Sequence, residues 1–174
     1  MKNNSRLLLL FLLLTFYANS RAQKTYVLIQ KKSGILNKAV AGSLPVSLKA
    51  MAALYSAMGG TNCLDMQCEL TTALGLGKQG SEAQKNLIQK YFPEDKVAKL
   101  VIGQDCYLSP TTSSSFSNFK SLSFIVAGDI VQVNYELDVL NNGSVKKIKG
   151  PDIYQYQNKL FKNKKRVLYS WTEK

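Results

Sequence analysis

The stretch DIVQVNYELDV is the most restrictive pattern in the chain. Apolar residues and one tyrosine alternate there with polar residues: Val131, Val133, Tyr135, Leu137 and Val139 against Gln132, Asn134, Glu136 and Asp138. A period of two places the two sets on opposite faces of a strand. The segment therefore predicts a long strand with one buried face and one solvated face.

Turn residues on both sides extend this strand into an antiparallel sheet. Ala127-Gly128-Asp129 precedes it, and Asn141-Asn142-Gly143 follows it as a typical hairpin turn. Asn158-Lys159 indicates a further turn. The other predicted strands are residues 122–126, 145–149, 153–156 and 167–171, with residues 25–30 as a short strand or an apolar lead-in.

Three helical patterns lie in the first half of the chain. Pro45 suits the first position of a helix that ends at Gly59-Gly60. Asp65 is a good N-cap for a second helix, which ends at Gly75. A third begins after Ser81 and is closed by Pro93, and residues 94–104 suit either a helix or a strand.

Helices followed by an antiparallel meander predict an α+β fold, with about three N-terminal helices packed on a curved antiparallel sheet. This order resembles the cone-shaped folds of the nuclear-transport-factor-like and cystatin-like types. The resemblance is one of architecture and implies no activity.

The stretch GLGKQG has the spacing of a dinucleotide-binding loop, with Gly75, Gly77 and Gly80 in the glycine positions. Such a loop must follow a strand and open a helix. Here the glycines follow a predicted helix, and Ser81 with Gln84 forms a capping box that starts the next one. The stretch is therefore interpreted as a helix stop and a helix start, and no cofactor is expected.

Residues 1–22 have the features of a secretory signal peptide: a basic start, an apolar run over residues 7–17 and small residues before Gln23. Residues 23–174 are expected to form a single exported domain, periplasmic or secreted, with no transmembrane anchor after cleavage. Cleavage removes three of the 23 basic residues and none of the 11 acidic ones. The remaining 20 basic and 11 acidic side chains give a net charge of +9, so the exported domain is strongly basic.

Three cysteines, Cys63, Cys68 and Cys106, would enter an oxidising compartment, where thiols usually pair. One disulfide and one remaining thiol are expected, and all three pairings stay open. A metal site is not expected, because the chain has no histidine and the two closest cysteines lack the usual ligand spacing.

The absence of histidine also excludes the usual catalytic triads and histidine-based acid–base catalysis. Cys106, beside Asp105, has no evident base to activate it. Glu136 and Asp138 could form a carboxylate pair of the glycosidase type, but they share their face with other polar residues, which is typical of a solvated sheet. Asp152 is interpreted as a turn residue after Gly150-Pro151. The protein is therefore expected not to be an enzyme.

Positive charge is concentrated in residues 145–166. The predicted binding residues there are Lys146, Lys147, Lys149, Lys162, Lys164, Lys165 and Arg166. A cationic surface of this kind attracts acidic proteins and anionic envelope components, while nucleic acid is not expected as a partner of an exported protein. The leading hypothesis is an inhibitor-like or immunity-like binding protein. The alternatives are lysines that only protect exposed strands, or a small-molecule pocket protein of a cone-shaped fold with weak carboxylate chemistry.

Overall fold

A computed structural model describes residues 22–59, 66–78, 80–103, 116–141 and 144–168. Over these residues the chain forms five helices and a six-stranded antiparallel sheet, which confirms the predicted α+β class. The helices are α1 (Lys38–Ser43), α2 (Val46–Gly59), α3 (Met66–Ala73), α4 (Glu82–Tyr91) and α5 (Lys96–Gly103). The strands are β1 (Lys24–Ile29), β2 (Phe116–Ala127), β3 (Ile130–Asn141), β4 (Ser144–Lys149), β5 (Asp152–Gln157) and β6 (Leu160–Lys165).

Two of these helices were not among the three predicted. The short helix α1 is capped by Asn37, whose side chain accepts a hydrogen bond from the N–H of Val40 (3.1 Å). The helix α5 occupies most of the stretch that suited either a helix or a strand. Asp95 accepts a hydrogen bond there from the N–H of Ala98 (3.0 Å). This capping interaction favours the helix, because it satisfies a backbone donor that a helix start leaves unpaired.

The capping box before α4 is confirmed at Ser81, whose hydroxyl accepts the N–H of Gln84 (3.3 Å). The Gln84 side chain differs from the prediction. It accepts the N–H of Gly80 (2.7 Å) rather than that of Ser81, and it donates to the carbonyl oxygen of Ala53 in α2 (3.0 Å). Gln84 is buried, so the cap also fixes α4 against α2. The glycine-rich stretch connects two helices and does not have the strand-to-helix setting of a dinucleotide site.

The sheet has the strand order β1-β2-β3-β5-β6, and β4 also pairs with β3. β4 and β5 lie one after the other along the same edge of β3. Residues 136–141 of β3 pair with β4, and residues 130–133 pair with β5. Gly150 and Pro151 join the two short strands, and the N–H of Gly150 donates to the carbonyl oxygen of Tyr135 (3.0 Å).

Gly150 is required where the chain passes Tyr135. A Cβ atom at this position would lie 2.8 Å from the Tyr135 ring, which is closer than real Cβ contacts. The missing side chain allows the backbone to pass over the ring and lets β5 begin directly at Asp152.

The turn at Asn158-Lys159 is confirmed, with positive φ angles of 53° and 63°. Two such residues match the twist of a tight hairpin between β5 and β6. The predicted strand at residues 167–171 is wrong at residues 167 and 168, which are not in a strand, and residues 169–171 lie outside the described residues. A two-residue turn after Gln157 starts the returning strand at Leu160. The last described strand, β6, therefore lies within the basic segment.

The helices cover one face of the sheet. Helix α2 lies at the centre of the core and is buried from Ala50 to Met58. A helix that is apolar on all sides is typical of such a position. The described inward-facing side chains of β3 are buried as the alternation predicts: Val131, Val133, Tyr135 and Leu137. The Tyr55 ring contacts the Phe119 and Tyr135 rings.

Some expectations concern parts of the chain that are not described. These parts include residues 1–21 of the predicted signal peptide, Cys63, Cys106 and the turn at Asn142-Gly143. The side chain of Cys68 is also outside the description, so the disulfide stays a prediction. In the parts that are described, no helix has the length and apolar character needed to cross a membrane.

Candidate functional site

The lysines of the basic segment lie on strands β4 and β6. Lys146 and Lys147 are exposed on β4, and Lys162, Lys164 and Lys165 are exposed on β6. We call the last three the basic edge, because β6 is the final strand in the described sheet order. Among the described residues, no ion pair involves these five lysines. Their charges are therefore turned to solvent.

Lys149 is exposed, but its amine lies 3.5 Å from the Glu136 carboxylate. Lys31 lies 3.0 Å from the same carboxylate. The hydrogen bond from Lys31 is the main reason why the pKa of Glu136 is lowered. The neighbouring Asp138 lies 4.0 Å from Lys120. These two carboxylates are on the solvent face of β3 and are paired with lysines, and the lowered pKa of Glu136 does not suit a general acid.

Arg166 does not belong to the exposed surface, and its prediction as an exposed binding residue is wrong. The register between β5 and β6 shifts by one residue: Tyr154 pairs with Asn163, whereas Ile153 pairs with Lys165. Lys164 is the extra residue of this bulge. A one-residue shift reverses the face of every following side chain. Lys164 and Lys165 are consequently both exposed, and Arg166 turns inward, where its side chain is buried.

The Arg166 guanidinium meets two partners in the interior. It donates two hydrogen bonds to the Asp95 carboxylate, at 3.0 Å and 2.5 Å, and a third to the Tyr154 hydroxyl at 2.9 Å. Burial alone would lower the pKa of Arg166, but Tyr154 and Asp95 outweigh burial and raise it, so the guanidinium stays charged. Since Asp95 also caps α5, the ion pair connects the end of the sheet to the helical layer.

Asp152 is a buried acceptor at the start of β5, and its interpretation as a turn residue is wrong. It is fully buried and accepts hydrogen bonds from the Tyr55 hydroxyl, the Tyr135 hydroxyl (3.1 Å) and the N–H of Val167 (2.6 Å). The Tyr55 hydroxyl also lies 3.3 Å from the Tyr154 hydroxyl, which links the hydrogen bonds of Asp152 to the ion pair of Arg166 and Asp95. We refer to these six side chains as the buried polar network: Tyr55, Asp95, Tyr135, Asp152, Tyr154 and Arg166.

The protonation chemistry of this network is set by burial. Desolvation raises the pKa of Tyr154 to about 12 and also raises the pKa values of Tyr55 and Tyr135. These phenols are therefore neutral hydrogen-bond donors at physiological pH. Tyr55 and Tyr135 join α2 and β3 to β5 through the Asp152 carboxylate, which has no exposed surface. The arrangement is suited to holding elements together, because a substrate could not reach the Asp152 carboxylate without displacing its partners.

Burial also raises the pKa of Asp152, although hydrogen bonds from Tyr55, Val167 and Tyr135 partly oppose this effect. The native state therefore binds the Asp152 proton more tightly than the unfolded chain does. The free energy of unfolding should then fall as the pH rises from the ordinary carboxyl pKa of about 4 through the raised value. Asp152→Asn removes this contribution. Urea denaturation between about pH 4 and pH 7 should show the variant gaining stability relative to the wild type as the pH rises. A constant difference would contradict a raised pKa.

A groove of about 280 Å³ lies beside β6. One wall is residues 93–96, which are the loop after α4 and the first residue of α5, and the other is the first part of β6, residues 160–163. The amide nitrogen Nδ2 of Asn163, a residue of this lining, is buried and has no hydrogen-bond partner among the described residues. This groove could not be predicted from local sequence patterns, because its two walls are about 65 residues apart in the chain.

No group of three or more His, Cys, Asp and Glu side chains that could hold a metal ion occurs in the described residues. Comparison with known proteins gives no relative: no family model, no curated protein and no solved structure matches this chain.

Proposed function

We propose that this protein is an exported, non-enzymatic binding protein that recognises an acidic partner protein or another anionic ligand. The observation that carries the proposal is the basic edge. Three lysines of one strand, Lys162, Lys164 and Lys165, are exposed together because of the bulge, and none forms an ion pair with another described residue.

Electrostatics supports an anionic partner. The full chain has a formal net charge of +12, and Lys146 and Lys147 add to the positive charge of the sheet margin. Clustered charges of one sign attract oppositely charged molecules over distances beyond direct contact and increase their association rates. Arg166 does not add to this attraction, because its charge and that of Asp95 neutralise each other in the interior.

Export is the part of the proposal that rests on the sequence alone. The features of residues 1–22 support a cleaved leader, with Gln23 as the first residue of the mature protein. In an envelope or extracellular setting, an acidic protein or an anionic envelope component would be available to the basic edge.

The pocket-protein alternative has less support. A cone-shaped fold would have to bind its ligand against the inner face of the sheet. The described part of that face is filled around Tyr55, Phe119 and Tyr135, whose rings pack against one another. We therefore do not propose it.

The test is the binding of poly-L-glutamate, which stands in for an acidic protein surface, to a variant with Lys162, Lys164 and Lys165 replaced by glutamine. We expect this variant to bind about tenfold more weakly than the wild type at about 50 mM salt, which corresponds to about 1.4 kcal/mol. Its salt dependence should also be shallower, because it has lost charges that salt screens over a Debye length of about 4 Å at about 500 mM. Fluorescence anisotropy measures both effects.

The matched control replaces Lys32, Lys38 and Lys78 by glutamine, since these lysines are also exposed but lie in the helical half of the chain. This control changes the net charge equally and should weaken binding far less. Both variants should keep the thermal stability of the wild type, because single surface substitutions usually change it by no more than about 0.5 kcal/mol. Equal losses in the two variants would show that only net charge matters, and the basic edge would then serve solubility.

A further inference from the structure

The outer edge of β6 carries backbone groups that can form hydrogen bonds. In a hairpin with a two-residue turn, the residues that flank the turn, here Gln157 and Leu160, form a hydrogen-bonded pair, and such pairs alternate along the strands. Leu160 and Lys162 therefore direct their N–H and C=O groups towards β5. The backbone groups of Phe161 and Asn163 point the other way. On β5, the N–H of Tyr156 follows the same pattern, because it donates away from β6 to Asp129 (2.6 Å).

These outward groups face the groove beside β6. Phe161 and Asn163 both line it, together with Pro93 from the loop between α4 and α5 and Lys96 at the start of α5. No backbone hydrogen bond from another described residue reaches their outward groups. A strand placed along this edge could therefore pair with the outward groups of Phe161 and Asn163.

The side chains along β6 indicate which kind of chain fits. Lys162 and Lys164 lie on the solvent side of the strand, whereas Phe161 is buried on the opposite side. Residues of an added strand would alternate in the same way. Acidic residues would face the lysines, and apolar residues would face Phe161 and Pro93. Glu94 is an exposed carboxylate in the groove, but Lys96 and Lys162 also line the groove and oppose its negative charge.

A second copy of the same strand does not fit. Antiparallel pairing of β6 with itself would bring the lysines of the two copies close together on one face, and like charges opposite each other destabilise a sheet. Lysines on an edge strand are a known device against such pairing. Charge complementarity therefore favours a different chain of opposite charge.

We propose that an extended segment of the partner protein, with alternating acidic and apolar residues, adds to β6 as a further strand. Its backbone pairs with Phe161 and Asn163, and its carboxylates meet the basic edge. This inference rests on the proposed function, because it specifies how the same lysines bind an acidic partner. Strand addition of this kind takes its affinity from main-chain hydrogen bonds and its specificity from alternate side chains.

The experiment compares two blocked hexapeptides of sequence Glu-Val-Glu-Val-Glu-Val, one unmodified and one N-methylated at every backbone nitrogen. Both carry the same carboxylates, but the second has no backbone donor. We expect the N-methylated peptide to bind at least about tenfold more weakly. The basic-edge glutamine variant should weaken the binding of the unmodified peptide.

Amide hydrogen exchange followed by NMR locates the contact. When the unmodified peptide saturates the protein, exchange at the Phe161 and Asn163 amides should slow by at least about tenfold. The matched controls are the amides of Leu160 and Lys162, which are already bonded to β5 and should change far less.

Two results would overturn strand addition while leaving the proposed function intact. In the first, both peptides bind equally well and both depend on the three lysines. In the second, neither peptide binds, while poly-L-glutamate still binds through the basic edge. If poly-L-glutamate binding is also independent of these lysines, the proposed function fails together with the strand-addition inference.

Discussion

Replacing Arg166 by methionine should lower the free energy of unfolding by about 3–5 kcal/mol. The substitution leaves Asp95 as a buried charge without its counterion, since the two side chains are 5% and 0% exposed. Breaking one side of a buried ion pair costs about this much, because the remaining charge stays out of water with nothing to compensate it. The Tyr154 hydroxyl loses a donor as well. Urea denaturation at neutral pH measures the loss.

Lys165→Met is the matched control for this prediction. It is the same kind of substitution at the preceding residue, but Lys165 is exposed, so its effect should stay within about 0.5 kcal/mol. The double variant Arg166→Met with Asp95→Asn should recover part of the loss. It removes the buried charge and keeps an N-cap for α5. Similar losses in Arg166→Met and Lys165→Met would show that Arg166 is exposed.

Asp152→Ala should lower the free energy of unfolding by about 3–5 kcal/mol, which is the second large effect. Three donors lose their shared acceptor: the buried hydroxyls of Tyr55 and Tyr135 and the partly buried N–H of Val167. Each buried donor left unsatisfied costs about 1–3 kcal/mol. Thermal and urea unfolding at neutral pH measure the change.

The comparison for this variant is Asp138→Ala on the solvent face of β3. Among the described residues, the ion pair of Asp138 is a long, partly exposed one with Lys120, so its loss should cost about 1 kcal/mol or less. Asp152→Asn should lie between the two, because its carbonyl oxygen can still accept hydrogen bonds. An Asp152→Ala variant as stable as Asp138→Ala would contradict a central role for Asp152 in the network.

The parts of the fold that the sequence predicts are those governed by local pattern. The alternation in β3, the turn at Asn158-Lys159 and the cap at Ser81 each depend on neighbouring residues, and all three are present. The helix α1 is too short to show a period, and its cap at Asn37 becomes evident only in the structure.

The candidate site was only partly predictable for the same reason. Exposure of Lys162 and Lys164 follows from their place in a hairpin. The inward turn of Arg166 depends on a bulge, and a register shift of one residue leaves no clear mark in a run of lysines. Asp152 follows Gly-Pro, which is typical of a turn, and its partners lie up to 97 residues away in the chain. Long-range hydrogen bonds of this kind have no local signature.

The sequence separation within the buried polar network also affects how the chain folds. Tyr55 is 97 residues from Asp152, and Asp95 is 71 residues from Arg166. Contacts that close such long loops are costly in chain entropy and are associated with slow folding. A nascent chain cannot complete the buried polar network until residues 152–167 have been synthesised. Under the proposed export, this order of events would leave the buried polar network unformed while the polypeptide crosses the membrane.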